Sequence, residues 1–291
     1  MTSPGTVWEK RALARGLYLV ATPIGAARDI TLRALDILAS AEVLAAEDTR
    51  TLRHLMEIHG IPLDGRPLVP CHDHNEGEAA GRLVAAVAEG KSVAYASEAG
   101  TPLVSDPGFA LARAMVAADL PVTAAPGPSA VLCALAVAGL PSDRFLFAGF
   151  PPPAQAARRV FLDGLKAVQA TLVFYESPRR LPALLSDLAD RLGGARDAAI
   201  CRELTKRFEE VRRGPLDQLA ADYADTQVKG EVVVLVNRAA PETTETATWE
   251  AALDEAMARM SVKDAAAMVA EAFDLPRRDV YQAALRKGKG D

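Results

Sequence analysis

Three loops rich in glycine and proline follow short apolar runs, and one of them is acidic. Residues 97–108 read SEAGTPLVSDPG and carry the carboxylates Glu98 and Asp106. The other two loops are TPIG at 22–25 and PGPS at 126–129. Ligands of open α/β sheets bind beyond the carboxyl ends of the strands, so we expect the three loops to share one cleft. The alternative is that glycine and proline only form turns at these positions.

The residue types in the acidic loop indicate which ligand it suits. The loop contains no lysine or arginine, which a phosphate site would usually supply. The chain also lacks the two common nucleotide motifs, GxxxxGK followed by Ser or Thr and a strict GxGxxG. Carboxylates and backbone carbonyls favour a ligand with positive charge or many hydroxyl and amine donors, such as adenosine attached to a sulfonium amino acid.

A second group of residues that could bind a ligand is CHDHNE at 71–76. Its thiol, imidazole and carboxylate groups are close together in sequence, which suggests a metal site. Adjacent residues of an extended segment point to opposite faces, and no second ligand pair has a familiar spacing. The sequence therefore favours a hydrogen-bonding loop at the rim of the cleft, with His74 and Asn75 near the substrate, over a metal site.

Alternating strand-like and helical segments must position these loops. The first series predicts strands at 17–21, 41–47, 68–69, 93–96 and 122–126, and helices ending at Ser40 (capped by Asp29 or Thr31), at 49–58, 76–89 and 107–118. The second predicts a helix to Ala138, strands at 144–150, 171–177, 198–204, 209–214 and 231–237, a helix after 151–155 and a helix at 178–192. Its β-rich spacing indicates a mixed sheet.

This alternation divides the chain into four segments. We predict a polar N-terminal leader at 1–15, an N-terminal α/β domain at 16–126, a second α/β domain at 127–240, and a linker with a helical tail at 241–291. In the tail, Ser261 can cap a helix and residues 277–287 can form another, a spacing compatible with helix-turn-helix. The alternative is a small helical bundle used for dimer packing.

Composition narrows the class of protein. The formal net charge of -5 excludes a uniformly basic surface, so any contact with nucleic acid must come from local patches. The three cysteines lack a CxxC spacing, which suits reduced thiols better than a disulfide framework. The N-terminus has no apolar signal region, and no stretch gives about 18 uninterrupted apolar residues. We therefore expect a cytoplasmic protein.

Nine ordered sequence blocks resemble the ribosomal RNA small subunit methyltransferase I family of the tetrapyrrole methylase superfamily. The resemblance is collinear from about residue 16 to 238, and the tail resembles the family's helical extension. The blocks are VATPIG (20–25), AEDTR (46–50), HNE (74–76), SEAGTPLVSDPG (97–108), PGPSA (126–130), GLPSDRFLFAGF (139–150), YES (175–177), RELTK (202–206) and KGEVVVLV (229–236).

The resemblance implies a fold, a cofactor and a reaction. The fold is two α/β domains of tetrapyrrole methylase type with a small C-terminal helical domain, usually as a homodimer, with S-adenosylmethionine between the α/β domains. The reaction is 2'-O-methylation of cytidine 1402 of 16S rRNA in the small ribosomal subunit. Residues implied for the donor site are Pro23, Gly25, Glu98, Ala99, Gly100, Thr101, Ser129, Ala130, Tyr175, Leu204 and Gly230.

A base that takes the proton of a ribose hydroxyl can add about 10²- to 10⁴-fold in rate. The sequence leaves several catalytic candidates open: Asp106, Asp48, Glu47, Lys206 and Glu231. Asp106 can instead cap a helix before Pro107, and Lys206 can form a surface ion pair.

Basic and polar residues supply candidate contacts to RNA. In the tail, arginines and lysines outnumber aspartates between 277 and 291, which favours contact with the RNA backbone over packing alone. We expect RNA contacts at Arg50, His74, Asn75, Arg158, Arg159, Arg277 and Arg278.

Two other functions compete with RNA methylation. One is a methylase of the same fold that acts on a tetrapyrrole or another small molecule. The other is a ribosome-assembly binding module without catalysis, for which the hint is Glu98, since the family usually has SDAGTP where this chain has SEAGTP.

Overall fold

The computed structural model describes residues 7–239 and 246–287. It forms two compact units, the first ending at Arg238 and the second beginning at Ala239. No helix in these two ranges is long and apolar enough to cross a membrane.

The first sheet is parallel throughout and has the strand order β3-β2-β4-β1-β5. Its strands are β1 (Gly16–Val20), β2 (Val43–Ala46), β3 (Leu68–Pro70), β4 (Ser92–Ala96) and β5 (Val122–Ala125). The central strand β4 is buried along its whole length, as expected when helices cover both faces of a parallel sheet. The four helices that connect these strands are α1 (Leu32–Ser40), α2 (Thr49–Ile58), α3 (Glu76–Ala88) and α4 (Phe109–Ala117).

The N-terminal residues pack against this sheet's helices where the structure describes them. The Trp8 indole donates to the carbonyl of His59 at 3.0 Å, and the Arg11 amide donates to the Ser40 hydroxyl at 2.9 Å. The predicted polar leader is therefore in contact with the fold at Trp8 and Arg11.

The second sheet is mixed and belongs to the same compact unit, with the order β6-β7-β10-β8-β9. Its strands are β6 (Phe145–Gly149), β7 (Thr171–Glu176), β8 (Asp197–Arg202), β9 (Glu210–Pro215) and β10 (Val232–Val236). Only the β6–β7 pair is parallel, which confirms the predicted mixed sheet. Its helices are α5 (Ala130–Ala138), α6 (Gln155–Asp163), α7 (Leu181–Leu192) and α8 (Leu216–Tyr223).

The second unit is a small helical bundle. Its helices are α9 (Thr246–Met257), α10 (Val262–Ala272) and α11 (Arg277–Lys287). Leu253, Val269, Val280 and Ala284 are buried in its core. The Ser261 hydroxyl accepts from the Asp264 amide at 3.3 Å, which confirms the predicted cap of α10.

Local sequence signals located most helix starts. Thr31 caps α1, as one of the two predicted candidates, and Asp48 caps α2, each through its side-chain oxygen. Helix α7 begins at Leu181 rather than at 178, and helix α8 was not predicted at all. Residues 240–245 of the predicted linker lie outside the described ranges.

Candidate active site

A pocket of about 380 Å³ lies where loops from the two sheets meet. Its lining comes from the loop after β4, the start of α5, the ends of β6, β7 and β8, and the start of β10. The lining residues are Ile24, Ala99, Gly100, Thr101, Val104, Ser105, Asp106, Ser129, Ala130, Phe150, Tyr175, Glu176, Ser177, Pro178, Cys201, Leu204 and 230–233. The volume suits a small molecule of cofactor size.

Backbone and side-chain hydrogen bonds join the three predicted loops. The Thr22 and Gly100 backbones form a two-way bridge, with both N···O distances 2.9 Å. The Thr101 hydroxyl donates to the carbonyl of Pro128 at 2.9 Å, and the Ser97 hydroxyl donates to Gly100 at 2.7 Å. The expectation that the loops share one cleft is therefore confirmed.

The acidic loop has an unusual backbone. Gly100 has φ 84°, and the non-glycine residues Leu103 and Ser105 have φ 72° and 61°. A left-handed conformation at a non-glycine residue costs roughly 1–2 kcal/mol, and such strain concentrates at ligand-binding sites. Hydrogen bonds of Gly100 to Thr22 and of Thr101 to Pro128 anchor the loop at its start.

Asp106 lines the pocket and does not cap helix α4. The cap of α4 is supplied by Glu76 from α3, whose Oε1 accepts from the amides of Gly108 (3.0 Å), Ala110 (2.8 Å) and Leu111 (3.2 Å). The alternative role of Asp106 as a cap is therefore wrong. Burial, followed by the nearby charges of Glu47 and Glu98, raises the pKa of Asp106 to about 7.

The neighbouring pair Glu47 and Asp48 divides into two different environments. Burial, and then the charges of Glu98 and Asp73, raise the pKa of Glu47. Hydrogen bonds from the Arg50 side chain and amide lower the pKa of Asp48 to about 2. Asp48 is thus held ionised as the cap of α2, and neither carboxylate lines the pocket.

A Lys–Glu cluster stands at the β10 side of the pocket. The Lys206 ammonium donates to Glu203 Oε1 at 3.2 Å and lies 3.1 Å from Glu231 Oε2. Glu203 Oε1 also accepts from the Glu231 amide at 3.0 Å. Partial burial lowers the pKa of Lys206, but the hydrogen bonds with Glu231 and Glu203 outweigh it and raise the pKa. Lys206 itself does not line the pocket, whereas Glu231 does.

Two glycines permit the close approach of these loops. Gly230 has φ 90°, and a Cβ there would clash with the carboxyl carbon of Glu203. A Cβ on Gly25 would lie 2.5 Å from Lys206 Cγ and 2.6 Å from Thr205 Oγ1. Gly25 therefore serves loop packing, and it is not among the lining residues.

Most of the predicted donor-site residues meet in the pocket. Ala99, Gly100, Thr101, Ser129, Ala130, Tyr175, Leu204 and Gly230 line it, whereas Pro23, Gly25 and Glu98 do not. Sequence reasoning missed Phe150, whose ring lies edge-on to Tyr175 with centroids 5.6 Å apart. It also missed Cys201 and 176–178. The end positions of the apolar strands β6, β7 and β8 were the signal that could have located them.

The predicted RNA contacts are dispersed. His74 is exposed, and Asn75 holds a turn, since its Oδ1 accepts from the His72 amide at 2.8 Å and its Nδ2 donates to Pro70 at 3.0 Å. Arg50 is 90% exposed but paired with Asp48. Arg277 and Arg278 are exposed at the start of α11 in the second unit.

The prediction that Arg158 contacts RNA requires correction. Its side chain is 5% exposed, and its guanidinium lies 2.6 Å from the fully buried Asp187 carboxylate. Arg159 also reaches Asp187, at 2.7 Å, and Asp190 at 3.3 Å. Arg158 and Arg159 both bind Asp187 of α7, because a buried carboxylate needs cationic partners.

Comparisons with known proteins agree with this arrangement. A sequence model for Tetrapyrrole (Corrin/Porphyrin) Methylases matches residues 16–220, and one for the RsmI C-terminal HTH domain matches 243–288. A protein of Mesorhizobium japonicum named Ribosomal RNA small subunit methyltransferase I is 48% identical over 97% of this chain and 96% of its own length. The chain belongs to the ribosomal RNA small subunit methyltransferase I family.

A second member of the family, from Pseudomonas aeruginosa, is 45% identical over 94% of this chain and 98% of its own. Among solved structures, uroporphyrin-III-C-methyltransferase from Thermus thermophilus has a TM-score of 0.54 and 25% identity, covering 76% of this chain and 93% of that one. A structure of Uroporphyrin-III C-methyl transferase from the same organism, complexed with S-adenyl homocysteine, has a TM-score of 0.52 at 19% identity, over 76% and 96% of the two chains. The family's fold is thus that of the tetrapyrrole methylases.

Proposed function

We propose that this chain transfers the methyl group of S-adenosylmethionine to the ribose 2'-oxygen of cytidine 1402 in 16S rRNA of the small ribosomal subunit. The family supports the reaction, since its named relatives are small-subunit rRNA methyltransferases. The observation that carries the proposal is the pocket, in which a half-buried Asp106 of raised pKa stands in a largely apolar, cofactor-sized cleft.

The pocket residues fit this methyl donor. No lysine or arginine occurs among the described residues that line the cleft, and two of its acidic residues are paired, Glu176 with Arg180 and Glu231 with Lys206. A lining without cations disfavours a free phosphate and is compatible with a sulfonium ligand. Gly100, with φ 84°, adopts the left-handed conformation in which its backbone bridges to Thr22 and it still lines the cleft. When bound, the donor supplies an electrophilic methyl group. We propose Ala99, Gly100, Thr101, Ser129, Ala130, Tyr175, Leu204 and Gly230 as the residues that contact it.

Asp106 is the best-placed proton acceptor among the sequence candidates. A general base works best when its pKa lies near the working pH, and the pKa of Asp106 is about 7. Asp48 is too acidic and is occupied by Arg50, and Glu47 does not line the pocket. We assign Asp106 the role of taking the proton from the ribose hydroxyl.

The Glu203–Lys206–Glu231 cluster supports the side of the pocket that is formed by the start of β10. Glu203 accepts hydrogen bonds from both the Lys206 ammonium and the Glu231 amide, so it links the three residues. Lys206 has enough remaining exposure, 28% of its side chain, to meet an RNA phosphate at the rim. We propose this electrostatic role for Lys206 and a donor-facing role for Glu231.

A methyl transfer assay tests the function. Small subunits purified from cells that lack the modification are incubated with the protein and radiolabelled S-adenosylmethionine. We expect one methyl group per subunit, placed on the ribose of cytidine 1402 by mapping. Donor binding in calorimetry without incorporation would contradict the proposed reaction and favour a binding module. Methylation of a small molecule without subunits would favour the tetrapyrrole-type alternative.

We also propose that the protein acts in the cytoplasm as a homodimer. Assembling small subunits, the proposed substrate, are cytoplasmic in bacteria such as those of the named relatives. Strand β6 is at one edge of the mixed sheet and exposes Phe145 and Leu146, 43% and 37% respectively. An apolar edge strand is a ready surface for pairing with another chain. Sedimentation velocity checks this, and a single monomeric species at micromolar concentration would contradict it.

A further inference from the structure

A groove of about 390 Å³ lies on the second unit, between α10 and α11. Lys263 of α10 and Arg277, Arg278 and Tyr281 of α11 line it, together with the buried Ala266. All three cationic residues are exposed, and Tyr281 is 38% exposed. We call this surface the cationic groove.

The positive charges of the cationic groove are not neutralised by their neighbours. Elsewhere in the described part of this unit, Arg259 pairs with Glu255 at 2.9 Å and Lys287 pairs with Asp254 at 2.6 Å. By contrast, Lys263, Arg277 and Arg278 form no ion pair with any described carboxylate, and no acidic residue lines the groove. Three like charges that share one concave surface repel each other, so an anionic ligand would stabilise them.

We propose that the cationic groove binds the backbone of single-stranded ribosomal RNA, with Lys263, Arg277 and Arg278 on phosphates and Tyr281 stacked on an unpaired base. This rests on the proposed function. A basic groove with an aromatic ring is the combination that recognises single strands, since the ring stacks on any base and the cations follow the phosphates. The net charge of the whole chain is -5, so such a local patch must supply the attraction.

Single-stranded RNA fits the groove better than a duplex does. The matching domain carries the name helix-turn-helix, and in such domains the second helix reads the major groove of DNA through its N-terminal residues. The major groove of an RNA duplex is too deep and narrow for a helix. Arg277 and Arg278, in the first turn of α11, therefore meet phosphates, where the helix dipole adds to their charge.

Paired variants of the full-length protein test the groove. The double variant R277Q/R278Q removes two groove charges, and R259Q/R286Q removes two exposed charges of the same unit outside the groove. The variants Y281A and Y281F separate the aromatic ring from the hydroxyl. Dissociation constants are measured for unmodified small subunits and for protein-free 16S rRNA between 50 and 200 mM salt, with donor affinity and circular dichroism as checks on folding.

We expect R277Q/R278Q to weaken binding to both probes about tenfold or more and to lower the slope of log K against log salt by about 1 for each side chain. Y281A should weaken binding roughly 5- to 150-fold, and Y281F should retain it. R259Q/R286Q should change affinity far less than the groove variant does.

Equal affinities of the groove variant and its matched control would overturn the proposal. Weaker binding to subunits with unchanged binding to protein-free RNA would also overturn it, because the surface would then contact a ribosomal protein. These results are independent of the reaction: a wild-type protein that binds subunits through the groove but transfers no methyl group would refute the proposed function and leave the groove standing.

Discussion

Asp48 and Asp106 show how one residue type acquires two chemistries in one protein. Both follow a buried strand of the parallel sheet, and both were candidates for the same role. Asp48 receives hydrogen bonds from Arg50 and has a pKa of about 2, whereas burial and two carboxylate neighbours raise the pKa of Asp106 to about 7. Environment, rather than identity, separates a helix cap from a proton acceptor.

Replacing Asp106 should remove the proton acceptor. We expect D106N to lower kcat roughly 10²- to 10⁴-fold, with a small effect on donor binding. The wild-type rate should fall with decreasing pH below about 7, since protonation of this carboxyl abolishes its basicity, and should level off above it. The measurement is single-turnover methyl transfer from pH 5.5 to 9. The D106N profile should lack this inflection.

The comparison variant is D48N. It should retain both methyl transfer and stability, since asparagine caps a helix about as well as aspartate does. A D106N protein with wild-type rate, or an inflection near pH 7 that survives in it, would remove Asp106 from the reaction.

A substitution at Gly230 tests the geometry of the pocket beside the start of β10. In G230A the new Cβ would clash with the Glu203 carboxylate, so this side chain must shift from the position in which it accepts from Lys206 and the Glu231 amide. We expect at least a tenfold weaker donor affinity in calorimetry and a loss of more than about 2 kcal/mol in urea unfolding, since strain and a clash combine.

The matched control is G90A. Gly90 has φ 98°, close to the 90° of Gly230, but nothing lies within 4 Å of its added Cβ. G90A should therefore show the backbone strain alone, about 1–2 kcal/mol, with unchanged donor affinity. Similar effects of the two variants on donor binding would contradict the role assigned to Gly230.

The contact between α6 and α7 depends on one buried carboxylate. Asp187 of α7 is fully buried and meets both Arg158 and Arg159 of α6. Burial raises the pKa of Asp187, but the hydrogen bonds from Arg159 and Arg158 outweigh it and lower the pKa. This contribution to stability is therefore complete above the ordinary aspartate pKa and is lost as the pH falls through the lowered value.

Substitution of Asp187 should destabilise this helix pair. We expect D187N to cost about 3–5 kcal/mol, because it leaves the Arg158 guanidinium buried without a counter-charge. D190N changes an exposed partner of Arg159 and should cost less than about 1 kcal/mol. Urea unfolding at pH 7 measures both. A D187N loss no larger than that of D190N would show that the buried pair adds little.

We expect the two compact units to have different functions, donor binding in the first and RNA binding in the second. Every residue that lines the pocket lies between 24 and 233, within the first unit. A chain that ends at Arg238 should therefore fold and bind S-adenosylmethionine with the affinity of the full protein. Its KM for small subunits should rise at least tenfold, since the cationic groove is absent.

Calorimetry and subunit methylation check the truncated chain. Loss of donor binding in a folded, truncated protein would mean that the second unit completes the pocket. An unchanged KM for subunits would assign RNA recognition to the first unit alone.

Local signals in the sequence were enough to predict most helices and strands and the cleft that the three loops share. Thr31, Asp48 and Ser261 cap helices because a side-chain oxygen next to a helical pattern can reach an amide two or three residues away. The apolar runs became strands, and their ends brought the glycine- and proline-rich loops together, since parallel strands share one carboxyl edge.

Long-range packing decided the rest. Glu76 caps α4 although it is 32 residues from Gly108 in the sequence, and Asp187 pairs with the buried Arg158 although the two are 29 residues apart. Neither contact follows from neighbouring residues. The raised pKa of Asp106 likewise depends first on burial and then on the charge of Glu47, which follows a different strand. Burial and pairing between distant segments exist only after the chain has folded, and they determine which of several similar carboxylates and arginines is available for chemistry.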